Sequence, residues 1–487
     1  MTPTADWLQD IGIAELQRRM EKGELTAAGL TEGYLLRIAA YDKQGPMLNA
    51  VLEVNPEAMA IAEGLDAERR AKGARGPLHG IPLLLKDNID TGDGMMTSAG
   101  SIALVGHYAT RDSHLVSRLR EAGAVILGKT NMTEWANFMT QGMPGGYSSR
   151  GGQVLNPYGC GRLNCGGSSS GSGAAVAASL AAAAVGTETS GSILSPAVCS
   201  SVVGIKPTVG LISRSGVIPL AMSQDTPGPL ARIVEDAALL LGAMAGPDAD
   251  DPATASGIGR VCRDYTPFLD AGGLEGARIG VPRRRFHDRL PHDEGALFEE
   301  HLEAMRAAGA VVVDPAEIPS AAELAQYQST VFRHEFKAGI NRYLSRLAPH
   351  LPVHSLKDLI LFNTMHHDEA LRYGQDNLLI AEDTSGMLTE PRYLEDRLTD
   401  LRLSRREGID AVMREHGLQA LVFPGTAGAS IAAKAGYPSV TVPGGYVSGG
   451  RPVGVTFTGG AYAEPQLIRI AYAFEQLRGM RRRPIWL

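Results

Sequence analysis

The chain has 487 residues, 44% hydrophobic and 20% charged, so it can bury a sizeable core. A net charge of -7, from 46 basic and 53 acidic residues, excludes the broad basic face that nucleic-acid binding needs. The longest apolar stretch, Ala174 to Val185, is 12 residues broken by Ser179, against about 20 for a membrane span. The four cysteines (Cys160, Cys165, Cys199, Cys262) are too few for a disulfide scaffold and form no C-x-x-C pair. They read as reduced thiols. The opening MTPTADWLQDIGIAEL lacks the basic-then-apolar order of a secretory leader. The expectation is a soluble cytoplasmic protein with no nucleic-acid and no membrane partner.

The first segment reads as helices. Thr26 can cap LTAAGLTEGYLLRIAAYD, where Leu30, Tyr34 and Ile38 share a face. After the loop RAKGARGPLHG, the run IPLLLKDNID predicts a short buried strand from about Ile81 to Leu85. In RDSHLVSRLREAGAVILGKTNM, Leu115, Leu119 and Ala122 mark a helix face, with Asp112 as its cap and Gly123 at a left-handed C-terminal position. AVIL then reads as a strand. MRAAGAVVVD, Met305 to Asp314, repeats the helix–glycine–strand device.

The stretch GAVILGKT, Gly123 to Thr130, matches the phosphate-loop pattern G-x-x-x-x-G-K-[ST]. Its four variable positions are apolar and strand-like, where a phosphate loop needs turning backbone. Its first glycine ends a helix instead of following a strand. Nucleotide binding is therefore disfavoured, and Lys129 reads as a strand-end lysine. Asn131 is expected to cap the next turn, with Glu134 three residues on.

Residues 140–230 are rich in Gly and Ser but hold an Ala-rich helix, Ala174 to about Ala184, followed by a helix near Val234 to Ala245. GPDADDPATASG, Gly246 to Gly257, reads as a surface loop. ARIGVP (277–282) and AVVVD (310–314) read as strands, and 320–417 as helical and charged. ALVFPG, SVTVPGG and GVTFTGG read as three short strands before a closing helix, Glu464 to Leu477. Strands alternating with helices predict an α/β sandwich around a mixed, mainly parallel sheet.

Cys165 to Pro196, CGGSSSGSGAAVAASLAAAAVGTETSGSILSP, carries the chemistry. Gly171-Ser172-Gly173 begins a dinucleotide fingerprint but lacks the third glycine and a preceding strand. Gly167 to Gly171 fits G-x-S-x-G with Ser169 as nucleophile, an esterase-like elbow, yet again no strand leads into it. His366-His367-Asp368-Glu369 does not converge as a metal site, because adjacent side chains on a helix diverge.

Several motifs in order tell more than any one. IPLLLKDNI (81–89), REAGAVILGKTN (120–131), GRLNCGGSSSGSGAAVA (161–177), and GTETSGSILSP (186–196) leading to GIKPTVGLISRSG (204–216) resemble the amidase signature family of serine hydrolases. The strong likeness spans about 78–245; AGYPSVTVPGGYVSGGRPVGVTFTG (435–459) is a weaker one. YSSRGGQVLNPYG (147–159) resembles peptide-amidase-like members.

The resemblance implies a single α/β/α domain over 1–487, with a catalytic signature core at 78–245. The helical 320–417 region would cover the substrate site. It also implies a Lys86–Ser168–Ser192 triad with a cis peptide between Ser168 and Ser169. The oxyanion hole would be Thr189, Ser190 and Gly191, supported by Ser169, Thr187 and Glu188. Substrate contacts are expected from Met139, Gln141 and Gly142. No metal and no cofactor are implied.

The chemistry is coherent. Serine attacks only once a base takes its proton. Lysine serves as base only when neutral, and burial behind Ile81–Leu85 would depress its pKa. Two departures matter. Ser190 stands where many relatives have glycine, and Leu194 where many have arginine. Losing that arginine favours a neutral or apolar acyl group. The expected activity is hydrolysis of a small or C-terminal peptide or aryl amide. The alternatives are an esterase using Ser169 and a glutaminase of the kind that serves an amidotransferase. Lys206 in GIKPT reads as structural, and the choice between monomer and homodimer stays open.

Overall fold

Leu83, Leu84 and Leu85 are fully buried and form the heart of a strand, as their apolar run predicts. The computed structural model describes residues 5–288 and 290–485. Its strands in chain order are β1 (Val51–Val54), β2 (Pro82–Lys86), β3 (Val125–Thr130), β4 (Tyr147–Ser148), β5 (Gly152–Gln153), β6 (Ala183–Glu188), β7 (Val203–Lys206), β8 (Thr226–Ala231), β9 (Arg278–Gly280), β10 (Val311–Val313), β11 (Ala420–Pro424), β12 (Ser439–Val447) and β13 (Arg451–Thr458). Eleven form one sheet in the order β1-β3-β2-β6-β8-β7-β12-β13-β11-β9-β10, and β4 and β5 pair separately.

The α/β sandwich around a mixed sheet is the expected one. The parallel share is smaller than expected. Parallel pairing is gathered in β3–β2–β6 and in β11–β9–β10. Between these, β8 returns antiparallel to both β6 and β7. β12 and β13 form a hairpin over Ser448–Gly450, with Gly449 at φ 73° and Gly450 at φ 75°. Alternation of strands and helices in sequence does not reveal where a crossover returns.

Thr26 caps the helix Ala27–Arg37 as expected, its side chain accepting from Gly29 N. Other local expectations are corrected. The Ala-rich segment is not one helix: Ser170–Ala177 is helical, Ser179 turns at φ 54°, and Ala183 already belongs to β6. The buried Arg37 guanidinium donates to Ser179 O at 2.8 Å and Ala178 O at 3.0 Å, satisfying carbonyls at the helix end. Ala181 to Ala184 are buried on every side, so their pattern could not distinguish helix from strand.

Asp112 does not cap the helix His114–Glu121. Ser113 stands at its N-cap, and the Asp112 carboxylate accepts from Gly92 N and Arg120 Nε. Asn131 and Glu134 form no capping box. Asn131 Oδ1 accepts from Met132 N and the Ser148 hydroxyl, and Glu134 accepts from Ser149 N. The segment 246–257 contains a short 3-10 helix, Pro252–Gly257, and Asp251 is buried against Arg214.

Residues 320–417 are helical as expected, including Val331–Leu344, Leu356–Met365, Asp376–Glu382 and Pro391–Leu401. Phe336, Ile340, Leu359 and Leu378 form a second apolar cluster with Trp135, Phe138, Met139 and Met143. These helices therefore pack on the loop that follows β3. No helix among the described residues is long and apolar enough to cross a membrane.

Candidate active site

β2 lies between two parallel neighbours, β3 and β6, and its last residue is Lys86. Lys86 is fully buried. Its Nζ lies 2.8 Å from Ser168 Oγ, 3.1 Å from Thr187 O and 2.9 Å from Thr187 Oγ1. Burial drives the lysine down to about 7, against the opposing pull of the Asp225 and Glu188 charges. A buried amine this close to neutral can accept a proton near physiological pH.

Ser168 comes from a tightly folded loop. Its carbonyl accepts from Thr133 N at 3.0 Å, and Ser170 Oγ donates to Gly166 O at 2.8 Å. The cis peptide lies between Gly167 and Ser168, one residue earlier than expected. Gly171 is forced by space: a Cβ there would sit 2.3 Å from both Ala50 O and Asn131 O. That explains the S-G-S-G run by close packing of backbone, with no dinucleotide needed.

Ser169 stands at the N-cap position of the helix Ser170–Ala177. Its hydroxyl donates to Thr187 O at 3.0 Å and accepts from Thr187 N at 3.2 Å, so it is committed to backbone. Its own N–H donates to Ser192 O at 3.1 Å, tying the two serine segments together.

Ser192 is buried, 8% exposed, in the turn that follows β6. Two carboxylates hold this turn. Glu188 Oε2 accepts from Ile193 N at 2.7 Å and Leu194 N at 3.0 Å. Asp225 accepts from the Thr189 hydroxyl on one oxygen, and from Leu220 N and Ala221 N on the other. Burial pushes Asp225 up to about 6. Gly191 has φ 86°, a left-handed conformation that favours glycine, and Ser190 is exposed beside it. Among the described residues, no hydrogen bond joins the Ser168 and Ser192 hydroxyls.

A small cleft adjoins this cluster, lined by Asn88, Thr187, Thr189, Val217, Leu220 and Asp225 among others. The fold thus brings together Lys86, Ser168, Ser169, Thr187, Glu188, Thr189 and Ser192. It does not bring the expected substrate residues to this cleft. Met139 is buried in the second apolar cluster, and Gln141 and Gly142 are exposed on the same loop. Asn88 and Asp225 were missed by the sequence reading. Asn88 lies two residues after Lys86, and Asp225 in SQDTPGP just before β8, but neither sits in a pattern that names its role.

The GKT of the phosphate-loop match lies within β3. Lys129 does not reach solvent as a strand-end lysine would. It is fully buried, donating to Ile89 O at 2.7 Å and Thr97 Oγ1 at 2.9 Å. Lys206 is also buried, donating to Tyr437 O at 2.5 Å across to the segment before β12.

Similarity to known proteins makes this chain a hydrolase of amide C–N bonds. The family profile described as Amidase matches residues 29–468. The structure of native peptide amidase from Stenotrophomonas maltophilia superposes with a TM-score of 0.93 at 49% identity, covering 98% of this chain and 99% of that one. A probable amidase of Arabidopsis thaliana is 41% identical over 98% of this chain and 92% of its own length. A glutamyl-tRNA(Gln) amidotransferase subunit of Halorhodospira halophila is 35% identical over 96% of each. The chain belongs to the amidase family.

Proposed function

We propose that this amidase cleaves a small or C-terminal peptide or aryl amide through an acyl-enzyme on Ser192. Neutral Lys86 takes the proton of Ser168, and Ser168 takes that of Ser192 as Ser192 attacks the carbonyl carbon. The backbone N–H groups over Thr189–Gly191 stabilise the oxyanion. Removing one such donor typically costs ~3–4 kcal/mol of transition-state energy. Ser168 then returns the proton to the departing amine, and water releases the acid by the same relay. The 78–245 segment supplies the chemistry, and the 320–417 helices cover the substrate side.

The observation that carries this reading is the 2.8 Å contact between a fully buried Lys86 and Ser168. The likeness to a peptide amidase over nearly the whole of both chains supports the substrate class. The Ser169 esterase reading is opposed by the engagement of that hydroxyl with the Thr187 backbone on both sides. A glutaminase role is opposed by buried Leu194, where an arginine would meet a carboxylate.

Intact mass after treatment with a fluorophosphonate tests the assignment. One adduct on the wild type should vanish in Ser192→Ala. An adduct that persists there would move the nucleophile, first to Ser169. Turnover of peptide amides with the free chain, set against glutamine, tests the substrate class.

A further inference from the structure

Lys86 needs more than neutrality. A neutral amine has two N–H donors and one lone pair, and only the lone pair can accept the serine proton. The three polar neighbours of Nζ are Ser168 Oγ, Thr187 O and Thr187 Oγ1. A backbone carbonyl only accepts, so Thr187 O takes one N–H. The Thr187 hydroxyl could accept the second N–H or compete with Ser168 by donating to the lone pair.

Asn88 bears on where that hydroxyl sits. Its Nδ2 donates to the same Thr187 Oγ1 at 3.1 Å. The amide is 3% exposed, and its backbone carbonyl accepts from Ile218 N at 2.8 Å, pinning it to the loop across the cleft. Its Oδ1 is buried without a hydrogen-bond partner among the described residues. That cost is tolerated beside a lysine two residues away in sequence, where a carboxylate would be nearly isosteric. We infer that Asn88 is a positioning residue for proton transfer: by donating to Thr187 Oγ1 it fixes the threonine side chain, which together with Thr187 O holds the Lys86 amine facing Ser168. The uncharged amide also supplies this contact without adding a negative charge that would favour the protonated lysine. The charged groups that already act on Lys86 are Glu188 on β6 and Asp225 ahead of β8.

This inference rests on Lys86 being the base. The test is the rate of fluorophosphonate labelling across pH for wild type, Asn88→Ala, Asn88→Asp, Thr187→Val, the Asn88→Ala/Thr187→Val double variant and Lys86→Met. Asn88→Ala should slow labelling about tenfold, and the double variant should be no slower than Thr187→Val alone, because the effect passes through that hydroxyl. Asn88→Asp should move the acidic limb of the profile up by about one pH unit. That shift reads only how near residue 88 lies to the lysine; the coupling to Thr187 reads the positioning role. An additive double variant, or an unmoved limb in Asn88→Asp, overturns the inference. If Asn88→Ala does not fold, Asn88→Leu, alone and with Thr187→Val, carries the same cycle. Lys86→Met separates the two levels. Labelling at the wild-type rate there removes the base reading itself. Loss of labelling there, together with additive Asn88 effects, removes only the role of Asn88.

Discussion

Two lysines lie on adjacent parallel strands, each sealed from solvent, and they differ in company. Lys86 ends β2 among hydroxyls and a carbonyl. Lys129, one strand over and paired in register with Leu85, sits among Asp87, Asp90, Asp93 and Glu53. Burial lowers both, but the four carboxylates around Lys129 favour its charged form. Among the described residues, the charges that oppose burial around Lys86 are Asp225 and Glu188, and both are committed to backbone N–H groups. Burial alone therefore does not make a lysine a base. In the proposed relay, what sets Lys86 apart is that one of its hydrogen-bond partners is the Ser168 hydroxyl, with two carboxylate charges acting on it instead of four.

Substitution of each lysine by methionine should separate these roles. Lys86→Met should lower amide turnover by about a thousandfold or more, the scale of losing a catalytic base that works as part of a unit. Its melting temperature should hold or rise, because an apolar side chain replaces a buried amine with no close counter-charge. Lys129→Met should do the reverse. It removes two buried hydrogen bonds, to Ile89 O and Thr97 Oγ1, and a cation that acts on Asp87 and Asp90, so stability should fall by about 1–3 kcal/mol. Turnover per folded molecule should stay within a few fold. Denaturant midpoints and kcat on the same preparations check both. A stable, inactive Lys129→Met would collapse the distinction.

The pH profile sharpens the contrast. In the proposed relay Lys86 acts deprotonated, so kcat/KM should fall about tenfold per unit below about 7 and level off above it. The sign follows from the direction of the shift: a lysine lowered from 10.5 to about 7 is already neutral at mildly alkaline pH. A profile still rising through pH 9 would mean that the lysine is more hydrated than its packing implies.

These differences explain what the sequence could and could not reveal. The strand ending at Lys86, the Gly- and Ser-rich turns and the helical 320–417 region were legible, because apolar runs and glycine punctuation are local signals. The phosphate-loop match failed for a local reason too, since four apolar residues in a row belong in a strand. The carboxylates around Lys129 were not legible as a group. They come from β1, the turn after β2 and the loop beyond it, and only sheet order brings them together. The break at Ser179 was hidden because a stretch buried on all sides shows no period. Asn88 was in plain view beside Lys86, but its role depends on Thr187, about a hundred residues away.

The smallest effect concerns the carboxylate that holds the turn carrying Ser192. Glu188 Oε2 accepts from Ile193 N and Leu194 N, while Oε1 is buried without a hydrogen-bond partner among the described residues. In Glu188→Gln the amide oxygen can keep both backbone bonds, with the NH2 in the place of the unpartnered oxygen. The turn that carries Ser192 then keeps its shape, and one negative charge facing Lys86 is gone. That charge raises the lysine, so its removal should shift the acidic limb of kcat/KM to lower pH by a few tenths of a unit, with the plateau kcat within about twofold. Measured on one buffer series, a downward shift with an intact plateau assigns Glu188 an electrostatic part in setting the base. A collapsed plateau with the limb unmoved would mean that the carboxylate serves only to hold the turn, and the difference between the two lysines would then rest on hydrogen bonding instead of charge.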